Sequence, residues 1–160
     1  MRIALARQVE SLVIAPVLGS LGAVEPRLGS VAARQLLLGT LAVETGGIWI
    51  KQNPGPALGW WQMEPATHDD LVARIWRQPE LASWMHANFG RPFVGGAAEL
   101  AGNAFYAAAL ARLYYWFDPQ PLPDAGDLAG LAGYWKRVWN TAAGAGREEK
   151  FARLLGPLIA

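Results

Sequence analysis

The sequence predicts a protein built from α-helices in a single domain over residues 1–160. Apolar residues make up 52% of the chain and charged residues 17%, a composition that supports an ordinary hydrophobic core and is not typical of a disordered protein. Apolar positions recur at helical spacing along most of the length, whereas the alternation typical of strands is brief. We therefore expect an all-α fold with at most a short β-hairpin within residues 46–60.

The N-terminal segment predicts an amphipathic helix over residues 3–18 that bends or ends at Pro16. Gln8, Glu10 and Ser11 alternate with apolar neighbours at helical spacing, which favours a surface helix over a signal peptide. No uninterrupted apolar run approaches the roughly 20 residues that span a membrane. We expect neither a signal peptide nor a transmembrane helix.

A second helix is expected after Pro26, running through several leucines to Glu44. Gly46 and Gly47 follow directly and would end it, because glycine readily adopts the left-handed conformation found at helix C-termini. The next segment contains the sequence Asn-Pro-Gly-Pro at residues 53–56, which is typical of an irregular loop.

Further helices are predicted along the second half of the chain. They cover residues 69–78, 79–88, 97–117, 128–139 and 148–155. Thr67 is expected to cap the first of them, with Asp69 and Asp70 stabilised by the helix dipole. Asn103 is expected to cap or pack a helix rather than bind a ligand. Residues 118–126 contain three prolines and predict a loop inside the domain rather than a linker.

Composition excludes several classes of function. The net charge of +1 argues against a nucleic-acid partner, and the absence of cysteine excludes disulfides, thiol chemistry and cysteine-type zinc sites. His68, Asp69, Asp70 and the distant His86 offer metal donors but no recognised ligand spacing. Neither the elbow of a serine hydrolase nor a phosphate-binding fingerprint occurs. We expect no metal and no cofactor.

Two segments together suggest a specific function. Glu44 and Thr45 end the leucine-rich helix, and residues 59–67 after the loop read Gly-Trp-Trp-Gln-Met-Glu-Pro-Ala-Thr. This arrangement resembles the lysozyme-like domain of soluble lytic transglycosylases. In that family a Glu followed by Ser or Thr ends a buried helix, and a Gly-Leu-Met-Gln-x-x-Pro-x-Thr segment lines the same cleft. The resemblance implies a lysozyme-like fold.

A third segment extends the resemblance to residues 36–146. The family carries Ala-Tyr-Asn-Ala-Gly, and residues 138–144 here read Val-Trp-Asn-Thr-Ala-Ala-Gly. Asn140 matches the Asn of the family, whereas Trp139 replaces the Tyr and removes a hydroxyl that the family uses near the catalytic acid. Tyr134, one helical turn earlier, could supply a phenol instead.

The resemblance implies cleavage of the β-1,4 bond between muramic acid and glucosamine in peptidoglycan. Such cleavage needs a carboxylic acid that protonates the leaving oxygen, and apolar surroundings keep that acid protonated near neutral pH. Glu44 is the expected catalytic acid and base, because it ends an apolar helix and is followed by several Trp. The alternative is a helix-end Glu that makes a local hydrogen bond.

The residues expected to bind substrate come from all three segments. They are Thr45, Trp60, Trp61, Gln62, Tyr134, Trp139 and Asn140. Trp60 and Trp61 are adjacent on one turn and cannot easily both be buried, so one is expected to face the groove. Glu64 is the candidate second carboxylate. Lytic chemistry, which uses one carboxylate, and hydrolysis, which adds a second, both remain open, with the lytic outcome favoured.

The setting suggested by the sequence is a bacteriophage particle. Small virion proteins with a Gln-Met-Glu-Pro-Ala-Thr run and a Tyr-Trp-Lys…Asn-Thr run are what the chain resembles most. We expect it in the virion, or in the bacterial cytoplasm before assembly, with peptidoglycan and tail or portal subunits as partners and no membrane partner. The alternative is a non-catalytic structural or assembly protein that retains the lysozyme-like fold.

Overall fold

The computed structural model describes residues 1–90, 96–141 and 144–160. Most of these residues are helical, and no strand occurs within the described ranges. The prediction of an all-α fold is confirmed. Extended pairing among the described residues is limited to two isolated bridges, Lys51 with Leu58 and Leu58 with Met63, so residues 46–60 contain one bridge rather than a hairpin of strands.

The α-helices are numbered here in chain order. They are α1 (Ile3–Val9), α2 (Ala15–Val24), α3 (Val31–Glu44), α4 (Pro65–Ile75), α5 (Pro79–Phe89), α6 (Glu99–Gly102), α7 (Ala104–Trp116), α8 (Leu128–Trp135) and α9 (Glu148–Ile159). One turn of π-helix, Glu10–Ile14, joins α1 to α2, and a second, Lys136–Asn140, extends α8. The 3₁₀ turns are Pro26–Gly29 and Gly96–Ala98.

The first helix does not end at Pro16 but continues to Val24. Pro16 is the second residue of α2, which begins directly after the π turn, and the shifted hydrogen-bond register there tolerates its missing N–H. The resulting helix, Ile3–Val24, is long and apolar enough to cross a membrane by length and composition, with a mean hydropathy of 1.3. A core helix and a signal sequence share these properties, and Ile14 and Leu18 are fully buried in the core.

Helices α3 and α7 form the centre of the core. Ser30 caps α3, since its Oγ accepts a hydrogen bond from the Ala33 N–H at 3.2 Å, and nine residues of this helix are buried. In α7 the run from Tyr106 to Leu113 is buried without interruption. Helix α9 packs across α3 and α8, and its Phe151 ring stacks on the Trp135 ring with centroids 5.2 Å apart.

Two predicted helix boundaries are corrected. Helix α4 begins at Pro65 rather than near Asp69, because proline suits the first helical position, where an N–H would have no intrahelical acceptor. Thr67 therefore lies inside the first turn and does not cap the helix. The predicted helix 97–117 is interrupted at Asn103, whose Oδ1 accepts from the Tyr106 N–H at 3.1 Å and caps α7, as expected of it.

Candidate active site

Glu44 is the last residue of α3 and is half-buried. Burial raises the pKa of its carboxyl to about 7. Two groups oppose this effect more weakly: the positive charge of Lys150, which donates to the Val43 carbonyl at 3.3 Å, and the indole N–H of Trp135. The Trp135 N–H is fully buried and makes no hydrogen bond of regular distance and angle with a described residue. A group with this pKa can give up and take back a proton near neutral pH.

The Glu44 carboxyl opens onto a groove, here called the Glu44 cavity, with a volume of about 450 Å³. Gln62, Trp139 and Asn140 line the same cavity, so the structure brings together residues from all three predicted segments. The remaining lining residues are Gln52, Ala57, Met63, Glu64, Thr67, Tyr114 and Thr141. Amide, hydroxyl and carboxyl groups predominate, a set that can hydrogen-bond the hydroxyl and amide groups of a sugar.

Gln62 occupies a tight turn that its own side chain helps to close. The Leu58 and Met63 backbones exchange hydrogen bonds of 2.9 and 3.0 Å, and the Gln62 Nε2 donates to the Gly59 carbonyl at 2.7 Å. Gln62 has a φ of +51°, a conformation that costs a residue with a side chain on the order of 1 kcal/mol or more. The turn thereby holds Gln62 on the wall of the Glu44 cavity, and the bond to Gly59 does not use its Oε1.

Asn140 is positioned by the π turn that extends α8. Its Oδ1 accepts from Lys136 Nζ at 2.7 Å and from the Gly146 N–H at 3.1 Å, and Lys136 Nζ also donates to the Gly144 carbonyl at 2.7 Å. These bonds fix the Asn140 amide and leave its Nδ2 as the group able to donate to a ligand. Ala142 and Ala143 of the predicted segment lie outside the described residues.

Trp139 contributes an aromatic wall. Its ring packs edge-on against Tyr114, with centroids 5.2 Å apart, and at 31° to the Tyr115 ring, with centroids 5.3 Å apart. Tyr115 is fully buried, and its hydroxyl lies 2.7 Å from Thr40 Oγ1. Burial raises the pKa of Tyr115 well above its usual value, with Glu44 contributing, so this phenol stays neutral close to the acid.

Two predicted substrate residues have structural roles instead. Trp61 is 1% exposed, and its indole N–H donates to the Leu37 carbonyl at 2.9 Å, so it belongs to the core. Thr45 is also buried: its Oγ1 donates to the Trp60 carbonyl at 2.8 Å and accepts from the Gly47 N–H at 3.1 Å. The Thr45 hydroxyl therefore closes the loop between Gly47 and Trp60. Trp60 itself is half-buried, as expected for one of two adjacent indoles, but does not line the Glu44 cavity.

Tyr134 does not supply a phenol to the Glu44 cavity. Its hydroxyl donates to the Tyr115 carbonyl at 3.3 Å and the Gln120 carbonyl at 3.2 Å, which anchors the proline-rich loop. The tyrosines near the acid are Tyr114 and Tyr115, which sequence reasoning missed. Their place in an apolar helical run gave no sign of function, because aromatic residues at such spacing are typical of a core.

Glu64, the candidate second carboxylate, also lines the Glu44 cavity. It precedes Pro65 in extended conformation, with φ −76° and ψ 146°, and its side chain is exposed. Asp69 faces elsewhere, since its carboxylate lies 2.7 Å from the Nδ1 of the buried His68. Within residues 1–90, 96–141 and 144–160, no group of three or more His, Cys, Asp or Glu could hold a metal ion.

Comparisons of the chain with protein-family models, curated proteins and solved structures give no match. The chemistry of the Glu44 cavity is therefore the basis for inferring a function.

Proposed function

We propose that this protein cleaves the glycan strands of peptidoglycan, with Glu44 as the acid and base. The observation that carries the proposal is the raised pKa of Glu44, about 7, in a carboxyl that opens onto a polar groove. Near neutral pH a substantial fraction of such a carboxyl is protonated, which is the state that a glycosidase needs to protonate a leaving group.

The residues of the cavity suggest a sequence of proton transfers. Glu44 donates its proton to the glycosidic oxygen, the bond from that oxygen to C1 breaks, and positive charge develops at C1. The Glu44 carboxylate then accepts the proton of the muramic C6 hydroxyl while the oxygen of that hydroxyl bonds to C1. Gln62 Oε1 and Asn140 Nδ2 would orient the sugar, and the Trp139 ring would offer it a stacking face.

Incubation with purified sacculi, followed by mass spectrometry of released muropeptides, tests the proposal. Glu44→Gln keeps the size of the side chain but removes the acid, so release should fall by a factor of about 10² to 10⁴. Asp69→Asn, which changes a carboxylate outside the cavity, is the matched control and should release muropeptides at the rate of the unaltered protein. Equal release by the Glu44→Gln protein would exclude Glu44 as the acid. No release by the unaltered protein would favour the non-catalytic structural role in a virion.

The products distinguish lytic from hydrolytic chemistry. If Glu44 is the one working carboxylate, the products end in 1,6-anhydro sugars. The Glu64→Gln change should then leave the identity of the products unchanged. Glu64 shares the cavity, so the alternative is that it activates water and gives reducing ends. We expect anhydro products. Reducing ends that disappear in the Glu64→Gln protein would show hydrolysis.

A further inference from the structure

A second cavity, here called the Arg112 cavity, lies beside the start of α3. Its volume is about 750 Å³, within the range of small-molecule sites, and its walls come from the start of α3, the end of α7 and the proline-rich loop 118–125. Tyr115 lines it, and the ring of the same residue packs on Trp139 of the Glu44 cavity. The two cavities therefore share a wall but have different linings.

Arg112 lines this cavity and is only 2% exposed. Its Nε donates to the Leu28 carbonyl at 2.9 Å and its Nη2 to the Arg27 carbonyl at 3.1 Å. Its Nη1 has no hydrogen-bond partner, and no carboxylate pairs with the guanidinium, in the part of the chain that the structure describes. Burial lowers the pKa of Arg112 to about 10. A buried cation without a counter-ion is costly and would be stabilised by an anion.

The N-terminus of α3 faces the same space. Ser30, Val31 and Ala32 line the cavity, and the Ser30 hydroxyl caps the N–H of Ala33. The N–H groups at the first positions of a helix have no intrahelical acceptor and carry the positive end of the helix dipole. The helix start and Arg112 thus favour negative charge independently of each other.

The other lining residues suit a ligand that has an apolar body and a single negative charge. Trp116 forms one wall, with the guanidinium carbons of Arg27 and Arg112 at 4.9 and 5.8 Å from its ring centroid. Prolines and Leu122 add apolar surface. Asp118 and Asp124 also line the cavity, and although Asp118 is paired with Arg137 at 2.7 Å, both carboxylates disfavour a dianion such as phosphate.

The walls of this cavity are held in place without a ligand. Besides the Tyr134 hydroxyl, which bonds to the Gln120 carbonyl, the Gln35 Oε1 accepts from the Gly126 N–H at 2.8 Å. The proline-rich loop is therefore fixed at its middle and at its end. A site with fixed walls loses little free energy to ordering when it binds.

We propose that the Arg112 cavity binds a small organic monoanion, a carboxylate attached to an apolar ring or chain. The carboxylate lies against the Arg112 guanidinium and the first N–H groups of α3, and the apolar body lies against Trp116 and the proline-rich loop. This site is separate from the proposed glycan cleavage and does not depend on Glu44.

Titration with benzoate, followed by the amide NMR signals of the protein, tests this site. Saturable shifts are expected at Val31, Ala32 and the proline-rich loop, with a dissociation constant of about 0.1 to 10 mM, the range open to a ligand of roughly nine non-hydrogen atoms. Benzamide, which has the same shape without the charge, and phenyl phosphate, a dianion, should each bind at least about tenfold more weakly. Equal binding of benzamide, or benzoate shifts confined to the Glu44 cavity, would overturn the proposal.

Two variants test the residues. Arg112→Met removes the buried cation and should abolish benzoate binding. The Arg112→Met change also removes the two hydrogen bonds to backbone carbonyls and could disturb the fold. Trp116→Ala, at a half-buried position, is therefore a second variant, and it should weaken binding at least about tenfold. Trp76→Ala, another partly exposed indole outside this cavity, is the control and should bind normally. Undiminished binding by folded Trp116→Ala protein would contradict the assignment. The Glu44→Gln protein should bind benzoate normally. The benzoate result therefore tests the Arg112 cavity independently of whether the proposed glycan cleavage occurs.

Discussion

Glu44 combines two properties that oppose each other in a folded protein. The burial that keeps its carboxyl protonated near neutral pH also makes its ionised form costly. The same shift in pKa therefore affects both the proposed reaction and the stability of the fold, and each effect can be measured as a function of pH.

Activity should depend on the protonated form of Glu44. We expect kcat/KM on soluble glycan fragments to fall as the pH rises through about 7, the pKa of the free protein, because the acid that protonates the leaving oxygen is lost. A pH series from about 5 to 9 measures this descending limb. A rate that stays constant through neutral pH would contradict the role of Glu44 as the acid.

Stability should change in the same pH interval. The folded pKa of about 7 exceeds the ordinary value of 4.5, so unfolding releases a proton between these pH values and rising pH favours the unfolded chain. The penalty is absent below about 4.5 and complete above about 7, where it amounts to at most roughly 3 kcal/mol. Glu44→Gln avoids it, so the variant should be more stable than the unaltered protein at pH 8 and nearly equal at pH 4 to 5. Urea denaturation at both pH values measures the difference, and a difference independent of pH would argue against the shift.

At the level of structural elements, the loop between Gly47 and Gly59 depends on Thr45. The Thr45 hydroxyl joins the start of this loop to its end, and residues from the loop, Gln52 and Ala57, line the Glu44 cavity. The loop thus carries part of the site although it contains little regular structure.

Removal of the Thr45 hydroxyl should loosen the loop. Thr45→Val keeps the shape but leaves the partly buried Trp60 carbonyl without this donor. We therefore expect a loss of about 1 to 2 kcal/mol in the free energy of unfolding and faster amide hydrogen exchange over residues 47–59. The exposed Thr141→Val is the control, and its exchange rates should match those of the unaltered protein. Unchanged exchange in Thr45→Val would show that the hydroxyl does not hold the loop.

At the scale of the whole molecule, the packing of α9 against α3 and α8 stabilises the surroundings of Glu44. Phe151 is fully buried against Trp135, whose indole lies near Glu44. Phe151→Ala should cost about 3 to 5 kcal/mol of stability and lower the pKa of Glu44, because water can then reach the carboxyl. Thermal unfolding and the pH profile of activity measure both effects. Phe151→Leu, a smaller change, should show a smaller loss, and an unchanged pH profile in Phe151→Ala would contradict the link between α9 and Glu44.

The sequence predicted the parts of this protein that depend on local pattern. Helical periodicity in the sequence identified the all-α class, and the family resemblance grouped Glu44, Gln62 and Asn140, which line one cavity in the structure. It could not assign Trp61 to the core or Tyr134 to the proline-rich loop, because both assignments depend on bonds to backbone carbonyls distant in the chain. Tyr114 was missed because only the packing of α7 brings it to the cavity, and Gln52 was missed because its loop has no periodic pattern.

The contact of α9 with α3 has a consequence for the order of events during synthesis. Lys150 bonds to the carbonyl of Val43, a contact between residues 107 positions apart, and Phe151 closes the same region. Such non-local contacts form late, since a long stretch of chain must be ordered before they are gained. In a ribosome-bound chain that has reached only residue 140, α9 is absent, and we expect Glu44 to be more exposed to water, with a pKa closer to its ordinary value. The raised pKa of Glu44 therefore depends on the docking of α9, and the proposed cleavage of glycan requires that docking.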